Sequence, residues 1–256
     1  MASEKSFCRR SFLLAMSAML GSAAGAFGQD PPLLPIRMAF NGNFQPFFYR
    51  EKGGAFRGIL VEILDQLGPG AGLHFEYEDL PWARAQQMVR AGHLDGLCTI
   101  STTERRSYIE FAPTPVVEEP TVIVYRAGDA RVETVEVPGG LGKLRFGVPL
   151  GNGWAREILP DAQIEWAADI DNLLDMIAMG RIDASLLGLW TVQAHLARDS
   201  KLAYRVLSIP SRDSAFRFGL RKSFPHCQEI VAKVDQALQG MRGAGAIDEI
   251  VRRYVT

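Results

Sequence analysis

The segment from Ser101 to Arg106 carries hydroxyls, a carboxylate and two cations in a pattern that could bind an anion. Ser101 and Glu104 have the spacing of a capping box, so the segment is predicted to open a helix, with Thr102 adding a second hydroxyl. A helix start built only for stability would tend to avoid Arg105 or Arg106 in its first turn, because a cation there opposes the helix dipole. Free amides, hydroxyls and a guanidinium together form a site suited to a carboxylate. A capped helix without a ligand is the alternative interpretation.

A second candidate ligand loop is Gly151-Asn152-Gly153, between a predicted strand and a helical stretch. It lacks the third glycine of the dinucleotide-binding pattern G-x-G-x-x-G, since Arg156 stands at that position. Exposed amides at the carboxyl edge of a sheet still favour a small polar ligand. A tight turn without a ligand is the alternative.

Aromatic side chains are concentrated in the first third of the chain. In Phe44-Gln45-Pro46-Phe47, a strand-to-helix loop can leave one ring over a cleft and bury the other. We expect Phe47 to lie in the core, and Phe44 and Trp82 to face the cleft.

Other kinds of chemistry find no support in the residue pattern. The histidines show no ligand spacing with cysteines or carboxylates, so no metal or other cofactor is expected. No G-x-S-x-G motif and no Cys–His pair supports a hydrolase. The formal net charge is -1, from 28 Lys+Arg and 29 Asp+Glu, and no block of like charges provides the basic surface that nucleic acid binding needs.

The chain repeats one helix–glycine–strand step at a spacing of 88 residues. The segment from Met88 to Leu97 reads like the segment from Met176 to Ser185, with Gly92 and Gly180 where a helix would end in a left-handed residue. The apolar runs that follow suit buried parallel strands. We therefore predict two α/β modules in tandem.

Other elements complete these modules. The apolar stripe from Ile59 to Leu67 predicts a helix that ends at Gly68-Pro69-Gly70, and Ser223 is the predicted N-cap of a C-terminal helix. The β-rich segments Pro120 to Arg126 and Ala215 to Leu220 flank the second module. If they are the only chain crossings between two lobes, the protein is hinged.

Residues 1–28 have the pattern of a cleavable export signal. A basic start that includes Arg9 and Arg10 precedes the apolar run from Phe12 to Leu20 and a stretch of small residues. The Arg pair also resembles the twin-arginine export motif, and a membrane anchor is the alternative. We expect a periplasmic protein, in which a disulfide between Cys98 and Cys227 is left open.

From about residue 34 to 255, the chain resembles the bacterial family 3 extracellular solute-binding proteins, the polar-amino-acid type that feeds ABC importers. The matching pieces, in the family's order, are Asn43-Phe44-Gln45-Pro46-Phe47-Phe48-Tyr49 with Gly58, Pro81-Trp82, Gly92-His93-Leu94-Asp95, Thr102-Thr103-Glu104-Arg105 with Tyr108-Ile109-Glu110-Phe111-Ala112, Gly147-Val148 with Gly151, and Gly180-Arg181-Ile182-Asp183-Ala184.

The resemblance implies an α/β, two-lobed type II periplasmic-binding fold. Each lobe would be a mostly parallel sheet flanked by helices, and two hinge strands would join the lobes. The implied boundaries are the signal peptide over 1–28, lobe 1 over 29–118 and 214–256, and lobe 2 over 119–213. The expected partners are a small-molecule solute and an ABC transporter permease, and the protein itself is expected to be a monomer.

The resemblance also implies roles for individual residues. Arg105 resembles the arginine that pairs with the α-carboxylate of an amino acid, with Arg106 as the choice in another register. Phe44 would stack on the ligand, and Asn152 and Gly153 would reach its carboxylate from the second lobe. The candidate ligand-binding residues are Phe44, Trp82, Ser101, Thr102, Arg105, Asn152 and Gly153.

One position departs from the family pattern. The aspartate that usually holds the α-ammonium would lie five residues after Asp183, where this chain has Gly188. A buried ammonium without that counter-charge would be unpaired. The sequence therefore predicts capture of a small carboxylate-bearing solute, an amino acid or a related compound, for delivery to an ABC importer without covalent chemistry.

An enzyme is the alternative function. A few relatives of this fold act as cyclohexadienyl dehydratases on cyclic carboxylic acids, a reaction that needs a general acid in the cleft. Glu104 and Asp171 are the candidates for that acid.

Overall fold

The computed structural model describes residues 33–51, 54–135, 140–159, 162–196, 202–206 and 215–255. The chain from Leu33 onward forms one compact unit. The predicted signal peptide, residues 1–28, lies outside the described residues. Within the described ranges, no helix combines the length and the apolar character that crossing a membrane requires.

Strands and helices alternate along most of the chain. The strands are β1 (Leu34–Phe40), β2 (Asn43–Phe44), β3 (Phe48–Arg50), β4 (Phe56–Arg57), β5 (Leu73–Asp79), β6 (Gly96–Ile100), β7 (Ile109–Phe111), β8 (Val117–Glu118), β9 (Thr121–Arg126), β10 (Arg145–Pro149), β11 (Gln163–Ala167), β12 (Ala184–Gly188), β13 (Leu202–Val206) and β14 (Ala215–Arg221). The helices are α1 (Ile59–Ala71), α2 (Trp82–Arg90), α3 (Thr103–Arg106), α4 (Ala130–Glu133), α5 (Gly153–Ile158), α6 (Ile170–Ala178), α7 (Leu189–Leu196), α8 (Cys227–Gly243) and α9 (Ala246–Val255).

The two large sheets share one plan. In the first sheet the order is β5-β1-β6-β14-β7, with β8 also paired to β14, and in the second it is β11-β10-β12-β9-β13. Strands β5, β1 and β6 are parallel, as are β11, β10 and β12. An antiparallel strand follows in each, β14 beside β6 and β9 beside β12. The predicted α/β class with two similar modules is confirmed.

Each sheet, with the helices packed on it, forms one lobe. The first lobe packs α1, α2 and α8 against its strands, and the second packs α6 and α7. Phe47 and Phe218 are fully buried in the first core, and Phe146 in the second. The lobe boundaries at 118/119 and 213/214 stay predictions. Of the two predicted crossing segments, Pro120 to Arg126 contributes β9 to the second sheet and Ala215 to Leu220 contributes β14 to the first. Residues 207–214, between β13 and β14, lie outside the described residues.

The sequence repeat corresponds to a structural repeat. Gly92 and Gly180 follow α2 and α6 with φ of 81° and 71°, a left-handed conformation that glycine adopts without strain. The amide after each glycine donates back to the carbonyl of Met88 or Met176, at 2.9 Å in both copies. This is the Schellman pattern, and it turns the chain from helix to strand in the same way in each lobe.

A buried aspartate follows each turn and fixes the start of the central strand. Asp95 accepts from the backbone N of Arg37 at 3.0 Å, and Asp183 accepts from the backbone N of Arg145 at 2.8 Å. Each aspartate also accepts from the guanidinium of the same arginine. The repeated aspartates are therefore structural groups at the end of the sheets opposite the carboxyl ends of the central strands.

Two predicted helix ends were wrong. Helix α1 runs through Pro69 to Ala71, because a proline near the end of a helix removes a single amide, and the chain turns only at Gly72 with φ 74°. Helix α8 begins at Cys227 after His226, and the hydroxyl of Ser223 accepts from Arg221 instead of capping the helix.

Candidate functional site

A cavity of about 140 Å³ lies between the two lobes, at the carboxyl ends of their central strands. The last residue of each of the four strands β1, β6, β10 and β12 lines it: Phe40, Ile100, Pro149 and Gly188. Ligands of open α/β sheets bind in the crevice at this edge, where loops of different strands converge.

Arg105 is the cation of this cavity. It is 2% exposed, and its guanidinium donates to Gln86 Oε1 at 2.9 Å, Thr99 Oγ1 at 3.3 Å, the carbonyl of Ile100 at 2.8 Å and the carbonyl of Gly151 at 3.3 Å. All four acceptors are neutral. Within the described part of the chain, no carboxylate lies within ion-pair distance of it.

Burial lowers the pKa of Arg105 to about 10, which still leaves the guanidinium charged at neutral pH. The ring of Trp82 lies 5.1 Å from Cζ of Arg105 and offers a weak cation–π contact. A buried charge without a counter-charge is unfavourable, so an anion bound beside the guanidinium of Arg105 would be stabilised.

The local fold brings one of the two candidate arginines, Arg105, to the cavity and leaves Arg106 outside it. Strand β6 ends at Ile100, and Thr102 caps α3 by accepting from the backbone N of Arg105 at 3.2 Å. This cap directs the side chain of Arg105 to the cavity. Arg106 is exposed and donates to the carbonyl of Ser101 at 2.6 Å. The capping box predicted for Ser101 is wrong, because the helix starts one residue later than that motif requires.

The two aromatic residues predicted to face the cleft form apolar parts of the cavity wall. Phe44 and Trp82 both line the cavity, and Phe44 stacks on Phe47 with ring centroids 5.0 Å apart. Phe47 is fully buried, as predicted. Phe216 packs behind Phe44 at 5.7 Å and holds that ring in place.

The glycine loop of the second lobe contributes part of its predicted set. Asn152 lines the cavity, whereas Gly153, Ser101 and Thr102 are not among the lining residues. Gly151 has φ 84°, and its carbonyl accepts from Gln86 Nε2 at 2.9 Å as well as from Arg105. The loop thus meets the first lobe beside the arginine.

Sequence reasoning missed the buried carboxyl group of the cavity, Glu119. It is 7% exposed, lines the cavity and accepts from the backbone N of Trp190 at 3.0 Å through Oε2. Burial raises the pKa of Glu119 to about 8, and the amides of Trp190 and Thr191 oppose that rise. The only sequence signal is the adjacent pair Glu118-Glu119, directly before the predicted crossing segment Pro120 to Arg126, and this pair matches no motif.

Two further polar groups of the cavity have no hydrogen-bond partner among the described residues. They are Nε1 of Trp154 and Oγ1 of Thr191, on side chains that are 4% and 1% exposed. Both atoms are themselves sealed from solvent, so a solute in the cavity could bond to either one only after a local side-chain movement.

Hydrogen bonds join the lobes around the cavity. Asn43 donates to Asp171 Oδ2 at 3.0 Å, and the backbone N of Thr103 donates to Glu157 Oε1 at 2.7 Å. The two proposed general acids are not in the cavity: Asp171 is at its rim beside His195, and Glu104 contacts Arg90 on the surface. Cys98 and Cys227 are both buried and free, so they form no disulfide with each other.

Two α/β lobes of one topology, closed over a mostly apolar cavity that holds a few buried polar groups at the facing sheet edges, define the class of two-lobed solute-binding folds. The chain belongs to the bacterial extracellular solute-binding proteins, family 3, whose family model matches residues 36–256.

Solved structures share this fold. An ancestral arginine-binding protein bound to arginine has 16% identity and a TM-score of 0.73, with 88% of this chain and 100% of that chain covered. An amino acid ABC transporter substrate-binding protein from Streptococcus pneumoniae bound to L-arginine has 18% identity and a TM-score of 0.72, over 86% and 94% of the two chains.

A third similar structure is an ancestral amino acid-binding protein described as a precursor of cyclohexadienyl dehydratase, with 19% identity and a TM-score of 0.68 over 87% and 95% of the two chains. At these identities the likeness establishes the fold. A comparison with curated protein sequences gave no match.

Proposed function

We propose that this protein is an exported solute-binding protein that captures a small carboxylate-bearing solute, an amino acid or a related compound, and delivers it to an ABC importer. The observation that carries the proposal is Arg105, a buried cation in the interlobe cavity whose protein acceptors are all neutral. A solute carboxylate would supply the missing negative charge.

The expected affinity follows from a small number of contacts. A hydrogen bond to a charged group contributes roughly 1.5 to 3 kcal/mol net. A micromolar complex needs about 8 kcal/mol, which an arginine, a few further donors and ring stacking can reach. The side chain of Asn152, which lines the cavity, carries such a donor in its amide group. Phe44 and Trp82 supply apolar faces for stacking.

Delivery would depend on the motion of the lobes. A hinged pair of lobes that closes on a solute presents a different surface to a membrane partner than the open pair does. In this proposal the protein acts as a periplasmic monomer, exported by residues 1–28, and the permease of the importer recognises the closed form.

Titration calorimetry against amino acids and dicarboxylates tests the role of Arg105. We expect Arg105→Ala to weaken binding by about 30-fold or more, because it removes a buried charged partner. Arg105→Lys keeps the charge but loses the planar donor fork, so it should retain part of the affinity. Arg106→Ala is the matched control, since Arg106 is exposed outside the cavity. Unchanged affinity in folded Arg105→Ala would contradict the proposal.

Glu119 keeps a second candidate function open, a dehydratase of the cyclohexadienyl type. A buried carboxyl with a pKa raised to about 8 holds its proton at neutral pH and has the property required of a general acid. Incubation with prephenate or arogenate, followed by ultraviolet detection of an aromatic product, separates the functions. The binding proposal predicts no product, and turnover that Glu119→Gln abolishes would favour the enzyme.

A further inference from the structure

The carboxylate of Glu119 occupies the space beside Gly188. A Cβ added to Gly188 would lie 1.6 Å from Oε1 and 1.8 Å from the carboxyl carbon of Glu119. The backbone of Gly188 is not in the left-handed region, so glycine is needed here for space and not for its conformation. A side chain at position 188 and the observed position of Glu119 therefore exclude one another.

Backbone groups hold this carboxylate without neutralising it. Glu119 lies between β8 of the first sheet and β9 of the second, and it accepts from the amides of Trp190 and Thr191 in the first turn of α7. Within the described ranges, no lysine, arginine or histidine side chain forms an ion pair with it. The carboxylate is thus fixed, buried and available to a cation in the cavity.

A second acceptor lies next to it. Thr191, whose amide bonds to Glu119, is 1% exposed and has a hydroxyl with no partner among the described residues. Both side chains line the same cavity as Arg105. A carboxylate and a hydroxyl can accept two of the three N–H bonds of an ammonium group, which for Thr191 requires its buried hydroxyl to turn toward the cavity.

We propose that Glu119, whose carboxyl group fills the space that Gly188 leaves free, binds the cationic group of the solute together with Thr191, so that the solute is a zwitterion with its carboxylate on Arg105. This inference rests on the proposed function and narrows the solute class to compounds with a free ammonium, such as α-amino acids. It also moves the anionic group from the second lobe to the segment that connects the two sheets.

The inference predicts an order of affinities. An amino acid pairs both buried charges, whereas the same acid without its amino group leaves Glu119 unpaired in a closed cavity. A dicarboxylate also offers Glu119 no cation, and its second negative charge opposes ionisation of that carboxyl group, so it is expected to bind less well than the amino acid.

Titration calorimetry of the wild-type protein tests this order. The probes are the free amino acids that occur in proteins and the deaminated form of each one. Glu119→Gln keeps the size and the acceptor oxygen but removes the charge, and should weaken amino acid binding by about 30-fold or more. Glu118→Gln is the matched control, because Glu118 is the exposed neighbour. It should change the affinity less than twofold.

A variant that moves the carboxylate to another residue separates the loss of charge in Glu119→Gln from a loss of structure. In Glu119→Ala/Gly188→Asp the carboxylate starts from position 188, and the truncated residue 119 no longer blocks it. We expect this double variant to bind amino acids at least tenfold more tightly than Glu119→Ala alone. Recovery of binding would show that the charge in this space, and not the cap of α7, is what the solute requires.

The outcomes separate the two proposals. Amino acid binding that falls in Glu119→Gln and recovers on relocation supports the inference. Wild-type preference for deaminated acids, or unchanged amino acid affinity in Glu119→Gln, overturns the role of Glu119 and leaves the carboxylate site on Arg105 intact. Absence of binding by either set of probes to the wild type overturns the proposed function and this inference with it.

Discussion

The two lobes begin their central strands alike and end them differently. Asp95 and Asp183 bind Arg37 and Arg145 in the same way, 88 residues apart. At the other end, the equivalent residues are Ile100 and Gly188. The carbonyl of Ile100 accepts from the cation Arg105, whereas Gly188 lies against the anion Glu119. The starts of the strands are therefore fixed by folding, and their ends are free to carry opposite charges.

The difference shows how one scaffold produces an asymmetric site. In the first lobe the charge lies a few residues after the strand, on a short helix capped by Thr102. In the second lobe the charge comes from a distant segment, 71 residues before the amide that holds it. A repeat of sequence can thus specify the lobes without specifying the ligand.

The largest expected effect concerns the aspartates that fix the start of the central strands in both lobes. Asp95→Ala and Asp183→Ala each remove a buried carboxylate with several charged donors, so each should lower the free energy of unfolding by about 2 to 4 kcal/mol. Urea unfolding of the two variants measures this. A loss below about 1 kcal/mol in either one would break the equivalence of the two lobes.

Acid should weaken the contacts that Asp183 makes in the second lobe. Burial raises the pKa of Asp183, but the hydrogen bonds from Arg145 and Arg131 outweigh it and lower the pKa to about 2. The stabilisation is complete above the unfolded pKa near 3.8 and is lost as the pH falls toward 2.

The next effect concerns the carboxyl ends of the central strands, where the two lobes differ. Gly188→Ala should displace the carboxyl group of Glu119 and weaken amino acid binding by roughly 30-fold, and loss of the bond from the amide of Trp190 should lower the free energy of unfolding by about 1 kcal/mol. Gly240→Ala is the control, because a Cβ at this position in the last turn of α8 meets nothing within 4 Å. Full affinity in Gly188→Ala would remove position 188 from the site.

A smaller effect is a dependence on pH that only the second lobe should show. The pKa of Glu119 is raised to about 8, so the folded protein binds more protons there than the unfolded chain between about pH 4.5 and 8. Stability without solute should therefore fall as the pH rises through this window. Glu119→Gln should remove that contribution.

Thermal unfolding of wild type and Glu119→Gln across this range measures the difference. A bound ammonium favours the ionised carboxylate, so amino acid binding at neutral pH should also release protons. Calorimetry in two buffers of different ionisation enthalpy detects that release. A pH dependence that is identical in both proteins would contradict the assignment.

The smallest effect concerns the contacts that bridge the lobes. The hydrogen bond from Asn43 to Asp171 is exposed, so Asn43→Ala should weaken solute binding only about threefold, through a less favourable closed form. Calorimetry with the best amino acid measures this change. A loss as large as that of Arg105→Ala would mean that the rim, and not the buried charges, determines affinity.

The sequence predicted those features that depend on neighbouring residues. The repeat around Gly92 and Gly180, the burial of Phe47 and the alternation of strands and helices all follow from local patterns. Helix ends were less predictable, since the start of α3 differs by one residue from the capping box and α1 passes through Pro69.

The site was predictable in part for the same reason. Arg105 follows a strand directly, so the sequence identified it as one of two candidates. Glu119 acts through a contact between a chain crossing and the start of α7, which no spacing reveals. Gly188 indicated a missing charge, and the proposed replacement, Glu119, came only from its packing against Gly188 in the structure.

Native mass spectrometry of the protein equilibrated with an equimolar mixture of amino acids and their deaminated forms tests the pairing of both charges most directly. The two-charge site predicts that wild type retains an amino acid, and that Arg105→Ala and Glu119→Gln retain none. A deaminated acid retained by wild type, or equal retention of an amino acid by all three proteins, would contradict it.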